Sequence, residues 1–429
     1  MAFDRAASRA ARLDFPALAR LHDGRPLVFL DGPAGTQVPE SVIAAIARHY
    51  RTCNANTHGQ FATSIEGDTA LWQARQAVAD FLGAERPERI SFGANMTTLT
   101  FALSRAIGRS LHAGDEVVIT ELDHEANRGP WLKLRERGAV IREVRLLQDG
   151  RLDSDHLREC VGPRTRLLAI GYSSNALGTV NDVALARELR RAAGAWLVVD
   201  AVHYAPHFPL DVRTLDPDFL VCSAYKFYGP HVGILYSRAG LLEELETDAL
   251  STQEPTAPYR IETGTLNFAA IAGVRAAIEY LAGFGDGRTL RDRLVSAMSG
   301  ISAYEYDLAR QYYEAVRVLP GVTAVGPDFA ERPRAPTVSI TVRHHTAAAV
   351  AQALAQQGIC VWDGDFYAAR AIEVLGLKAA GGVLRTGMSM YSNEQDLERL
   401  LSALGSLTRG PVTAPVRAAG LTSPGAPGR

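Results

Sequence analysis

A chain of 429 residues can bury a large core and should divide into two domains. With 47% hydrophobic and 21% charged residues it has the make-up of an ordinary globular enzyme, and a net charge of -2 gives no reason to expect nucleic acid or an anionic membrane as partner. Cys53, Cys160, Cys222 and Cys360 are widely spaced without a CxxC, which argues against a disulfide framework or a zinc site; with neither a long apolar run nor a secretory signal, a reducing cytoplasm is the expected compartment.

Residues 1–25 read as an Arg/Ala-rich lead-in helix of little functional content. LVFLDGPAGTQVPESV then gives a short strand, a turn punctuated by Gly32, Gly35 and Pro39, and a helix start. A backbone this thin can approach a ligand closely. The polar stretch NANTHGQFATS is loop-like and holds His58. Residues 66–83 have the pattern of an amphipathic helix and 89–92 that of a strand. GANMTTLTFALSRAIG continues with a small-residue turn and a helix starting near Thr97 or Thr98, whose free backbone N–H groups suit a phosphate. It is neither a G-x-G-x-x-G nor a Walker sequence, so nucleotide binding has no support.

Residues 115–120 form the next predicted strand, with His124 beyond its carboxyl end. Residues 164–171 repeat the theme and deliver SSNALGTVND, where Asn181 or Asp182 can cap a helix over 183–193. The apolar runs 196–199 and 219–222 read as buried strands, and GPHVGILYS as an antiparallel return. This alternation predicts a mostly parallel sheet wrapped by helices. A polar segment, 245–266, leads to helices over 268–284 and about 288–318. Beyond them come a strand pair around a Pro-rich loop, a helix over 346–357, the strand-like ICVWD and GGVLRTGMSM, and a closing helix over 393–407. The expected organisation is a lead-in (1–25), a large domain (26–289), a smaller α+β domain (290–408) and a disordered tail (409–429).

The chemistry concentrates at two strand ends. The first buried run closes on Asp200, and the second runs out into Ser223-Ala224-Tyr225-Lys226. Ligands of open α/β sheets sit outside the carboxyl ends of the strands. A carboxylate and an amine placed there suit pyridoxal phosphate, which bonds to a lysine as a Schiff base while an acid holds its pyridinium nitrogen. The chain has only three lysines. Lys133 lies in a charged helical stretch and Lys378 in a loop, so Lys226 is the candidate. Arginine cannot substitute, because a guanidinium does not deprotonate to attack an aldehyde.

From about Leu30 to Leu407 the chain resembles the class V, fold type I, pyridoxal-phosphate aminotransferase family, in its cysteine desulfurase and selenocysteine lyase branch. That branch's Ser-x-His-Lys appears here as Ser223-Ala224-Tyr225-Lys226, which gives Ser223 to the cofactor phosphate and puts Tyr225 in place of a histidine. Its Asp-x-x-Gln appears as Asp200-Ala201-Val202-His203, so the resemblance gives Asp200 to the ring nitrogen and His203 to the phenolic oxygen. His124 matches the histidine that stacks on the ring. The Gly-Thr-Thr phosphate turn aligns with Ala94-Asn95-Met96, leaving backbone donors and little hydroxyl chemistry. SSNALGT resembles SNxxGT and puts Asn175 near the substrate. ETGTLN resembles EAGTPN, whose threonine, here Thr265, reaches the partner's cofactor phosphate and so implies a homodimer. LRTGMSMYS resembles the arginine strand and makes Arg385 the clamp on the substrate α-carboxylate, a task suited to a planar, bidentate fork.

One departure bears on the reaction. The branch carries a sulfur-accepting cysteine in a stretch like GIAVRTGHHC; this chain reads GICVWDGDFY over 358–367, with Tyr367 at the cysteine position and Trp362 at the arginine position. Cys360 reads as a buried, inert strand thiol. The pocket candidates are therefore His58, Trp362, Asp365, Phe366 and Tyr367. The leading expectation is a lyase that cleaves a C–S or related bond without a sulfur relay. The alternatives are a decarboxylative aldol-type C–C bond-former, an aminotransferase or an epimerase of specialised metabolism. A pyridoxal-phosphate-binding regulator is disfavoured, since no basic helix-turn-helix stretch is present.

Overall fold

The computed structural model describes residues 3–330 and 333–409. The main sheet contains β1 (Ile90–Gly93), β2 (Glu116–Thr120), β3 (Val140–Val144), β4 (Thr165–Gly171), β5 (Trp196–Asp200), β6 (Phe219–Ser223) and β7 (Gly233–Ser237). Their order is β1-β7-β6-β5-β4-β2-β3. Only β7 runs antiparallel to its neighbours, as the short return after Lys226 requires. Nearly every residue of β2, β4, β5 and β6 is buried, the signature of parallel strands covered on both faces. β3 is the strand that periodicity did not reveal. It lies at the sheet edge, where Arg142 and Glu143 replace the apolar run that betrays an interior strand.

A second, antiparallel sheet consists of β8 (Val322–Val325), β9 (Thr337–Val342), β10 (Trp362–Gly364) and β11 (Val383–Gly387), in the order β8-β9-β11-β10. A 27-residue helix, Leu290–Val316, runs from the main part of the molecule to this sheet. The lead-in and the strand just after it both pack onto the C-terminal part. Val28 and Phe29 pair in parallel with Ile359 and Cys360, the Ser8 hydroxyl donates to Met390 O at 2.7 Å, and Arg12 meets Asp396 at 2.7 Å. Residues from the start of the chain thereby complete the C-terminal layer. Of the predicted tail only Arg409 is described, as the last residue of the helix Glu394–Arg409; residues 410–429 lie outside the described part. Among the described residues, no helix is long and apolar enough to cross a membrane.

Candidate active site

The parallel strands bring their carboxyl ends to one edge of the main sheet, and a cavity opens there. Asp123 and His124 line it after β2, Ser173, Ser174 and Asn175 after β4, and Asp200, Val202 and His203 from β5 onward. Ser223, Tyr225 and Lys226 follow β6, while Asn95, Met96 and Thr97 come from the start of the helix Met96–Arg109. That helix begins a residue or two before its predicted start. Asn95 is the N-cap: its side chain accepts from Thr98 N at 2.9 Å, and the Thr98 hydroxyl closes the capping box. Ser223 Oγ accepts from Met96 N at 3.3 Å, which ties the strand end to the helix start. Backbone donors, Ser223 and the exposed Thr97 hydroxyl together form an anion cradle with more hydroxyl chemistry than the sequence suggested.

Lys226 sits in a 3-10 turn, Ala224–Lys226, between two antiparallel neighbours that are in register at Ser223 and Gly233. The turn is further held by Ala224 N donating to Val232 O at 2.9 Å. The glycines of the early turn make room for protein and not for a ligand: a Cβ on Gly35 would stand 3.2 Å from the Tyr225 ring, and one on Gly32 would collide with Ser389. The turn thus packs against the lysine loop, where Thr36 N donates to Tyr225 O at 3.1 Å. The buried amine donates to Pro33 O and Ala34 O, with no carboxylate inside ion-pair distance among the described residues. Burial lowers its pKa to about 7, Arg385 pushes the same way, and Asp200 opposes them. An amine that is substantially neutral near pH 7 can attack an aldehyde.

Asp200, at the end of β5, accepts from Val202 N at 2.9 Å, and burial raises its carboxyl to about 6. A cationic ring nitrogen beside it would restore the ionised form. The neighbouring strand contributes a second acid that sequence reading passed over. Asp123 accepts from Gly171 N at 2.8 Å and from Asn127 Nδ2 at 3.1 Å, and burial raises it to about 7, with Asp200 adding to the shift. Its position just before His124 at a strand end was the available signal. His124 Nδ1 accepts from Ala126 N at 3.0 Å, and burial lowers its pKa to about 4, so a neutral, flat ring lines the cavity. Buried His203 has an unpartnered Nδ1.

Arg385 reaches the site from β11. It is 3% exposed, its Nη1 donates to Asn175 O at 3.0 Å, and its Nε lacks a partner. No carboxylate pairs with it among the described residues, and burial lowers its pKa to about 9. Such a desolvated guanidinium is suited to an incoming carboxylate. Phe366 lies on its face, with Cζ 3.9 Å from the ring centroid. The strap carrying Phe366 is pinned: Asn175 Nδ2 donates to Phe366 O at 2.9 Å, Glu125 N to Tyr367 O at 2.6 Å, and Tyr367 N to Asp365 Oδ1 at 2.9 Å. Phe366 and Tyr367 both adopt left-handed backbone angles, φ 55° and 59°, an uncommon choice for aromatic residues.

Several of the substrate-side candidates lie outside the residues that line the cavity of this chain. His58 does not line the cavity; its N–H donates to Asp68 Oδ2 at 2.9 Å and its ring faces solvent, because the loop is capped onto the following helix. Trp362 lies directly across from Arg385 in the β10–β11 pair, yet its side chain is 50% exposed and absent from the lining. Asp365 is exposed and serves the strap. Tyr367 is largely exposed, with its ring 5.5 Å from that of His124. Thr265 is exposed and away from this cavity, beyond a segment anchored by Glu262, which pairs bidentately with buried Arg75 at 2.7 Å and accepts from Phe92 N at 2.6 Å. Cys360 is half-buried with its thiol raised to about 11, and no cysteine is among the lining residues.

An amine, an acid at the end of the adjacent strand, a helix-start anion cradle and a flat neutral ring together define a pyridoxal-phosphate site of the fold type I class. The aminotransferase class-V model matches residues 28–400, and the chain belongs to that family of pyridoxal-phosphate-dependent enzymes. It is 34% identical over 409 residues to a cysteine desulfurase of Klebsiella pneumoniae, covering 92% of this chain and 96% of that protein. Its structure is similar to the apo cysteine desulfurase of Thermococcus onnurineus, with a TM-score of 0.85 and 26% identity over 94% of this chain and 98% of that one. The cysteine desulfurase CsdA of Escherichia coli superposes with a TM-score of 0.81 at 28% identity, over 94% and 98% of the two chains.

Proposed function

We propose that this enzyme is a lyase for an α-amino acid bearing a sulfur leaving group at Cβ, and that it releases the sulfur species without passing it to a protein thiol. The observation that carries this reading is the strap: where the resemblance locates the sulfur-accepting cysteine, the chain has Tyr367, and the lining residues include no cysteine.

The residues fit the cofactor. Asn95, Met96, Thr97 and Ser223 suit its phosphate, Asp200 its ring nitrogen, His203 its phenolic oxygen and His124 its face. When bound, pyridoxal phosphate supplies an electron sink for the bonds at Cα. Asp200 keeps a proton on the ring nitrogen. Lys226 would bond the cofactor aldehyde and would hold or move a proton at the Cα of the substrate. Arg385 binds the α-carboxylate, with Asn175 positioning the guanidinium from its far side. Phe366 and Tyr367 cover the entrance and reduce water access. Loss of the Cα proton and departure of the thiolate from Cβ would leave products that hydrolyse to pyruvate and ammonia; only a sulfinate, which can leave as sulfur dioxide while its bonding pair stays on carbon and is protonated there, would give alanine without a sulfur acceptor.

Thr265 is assigned to the cofactor phosphate of a second copy, in a homodimer with shared sites. The cleft lies between a large cofactor domain (26–289) and a smaller one (290–408). Incubation with cysteine, cysteine sulfinate and S-substituted cysteines should yield pyruvate or alanine with at least one of them; silence from all would overturn the reading.

A further inference from the structure

The histidine that replaces the family's glutamine is held by residues outside the cofactor loops. His203 is 3% exposed, and its Nε2 lies 2.9 Å from Thr337 Oγ1 at the start of β9. Thr337 is fully buried, and among the described residues its hydroxyl oxygen has no other hydrogen-bond partner. On the ring's other side His207 stands edge-on, with centroids 5.2 Å apart at 77°, and its Nδ1 lies 2.7 Å from Glu305 Oε2 in the long helix. Glu305 also accepts from Tyr228 Oη at 3.4 Å. The charged groups around His203 include Lys226, Arg385 and Arg334, and burial first, then His207 and these cations, keep its imidazole neutral.

A neutral imidazole has one N–H, and two arrangements are open to it. If Nε2 carried the proton, Thr337 would accept it, and the buried threonine would then need another acceptor for its own proton; none is present among the described residues. If the threonine donates to Nε2, both groups are satisfied and the imidazole proton sits on Nδ1. That nitrogen is buried, without a partner, on a residue that lines the cavity. A buried donor left without an acceptor is costly, so this arrangement is complete only when the cavity holds one.

We propose that Thr337 is a positioning residue for the cofactor: by donating to His203 Nε2 it fixes the tautomer whose Nδ1–H points into the cavity, toward the phenolic oxygen of pyridoxal phosphate. The proposal rests on the cofactor reading above. It also gives the smaller sheet a hand in the cofactor's electronics, since a donor to that oxygen draws charge away from the adjacent lysine-derived nitrogen. Removing the donor leaves more negative charge beside that nitrogen's proton, which then dissociates at higher pH.

The test is a pH titration of the visible absorption band of holoenzyme in wild type, Thr337→Val and Thr337→Ser. Thr337→Val should raise the midpoint by about one unit, the equivalent of about a tenfold change in proton affinity, while Thr337→Ser stays near wild type. An unmoved midpoint in the valine variant, or an equal shift in the serine variant, would overturn the proposal. Histidine 15N spectra of wild-type holoenzyme give a second readout that needs no variant: a proton on His203 Nδ1 is expected, and one on Nε2 would refute it. If wild type shows no visible band with added pyridoxal phosphate, the cofactor reading fails and this proposal falls with it, whereas a normal band with an unmoved midpoint in the valine variant overturns this proposal alone.

Discussion

The two walls of the cavity are built differently. The cofactor wall consists of strand ends in the main sheet: Asp200, Ser223 and Lys226 are all buried, and each is locked by backbone contacts to neighbouring strands or turns. The side assigned to the substrate is a strap over residues 362–367, which lies beside the lining residues, is partly exposed, carries two aromatic residues in left-handed conformations, and is held by pairing with β11 and by hydrogen bonds from Asn175 and Glu125. A sheet edge fixes geometry through many cooperative strand contacts, whereas a strap can change its residues and aim without disturbing the core. The contrast assigns the shared chemistry to the first wall and the choice of substrate to the second.

Changes to the first wall should be the most damaging. Lys226→Ala is expected to abolish the visible band and to lower turnover by about a thousandfold or more, read from spectra and steady-state rates. Arg385→Lys comes next: loss of the bidentate fork should raise KM for the amino acid about tenfold to a hundredfold, with a smaller change in kcat. If kcat fell and KM did not move, Arg385 would not be the carboxylate clamp. The depressed Lys226 pKa gives a pH test. The neutral amine is the reactive form, so cofactor capture by apoprotein should accelerate by about tenfold per pH unit below about 7 and level off above it. A rate still climbing beyond pH 9 would mean that burial does not shift this lysine. The mildest change is Phe366→Ala, which removes the ring from the Arg385 face. It should alter KM by about threefold to tenfold and change the ranking of substrates more than kcat. Equal losses for every substrate would instead show the strap acting on the chemistry common to both walls.

What could be read from the sequence follows the same division. Asp200 and Lys226 stood out because interior parallel strands are continuous apolar runs, and a charged residue at the end of such a run has few structural explanations. Asp182 was legible as a cap, and its carboxylate does accept from Leu185 N at 2.9 Å. Asp123 was not seen: it follows Glu121 in a polar stretch, and only the register of β2 and β4 buries it against Gly171. Nor was Thr337, which belongs to a different sheet and meets His203 across 134 positions of chain. His58 and Trp362 were drawn into the site by resemblance and motif position; the His58 loop is tied to the following helix through Asp68, and Trp362, although it shares a sheet face with Arg385, is half exposed and outside the cavity lining. Local pattern reveals burial and strand ends; it does not say which loop side chains converge.

The central claim is that Lys226 is the attachment point of the cofactor. Borohydride reduction of the purified holoenzyme, followed by peptide mass mapping, tests it most directly. The cofactor mass should appear on the peptide containing Lys226 and on no other. Its appearance on Lys133 or Lys378, or on no peptide at all after reconstitution, would contradict the account.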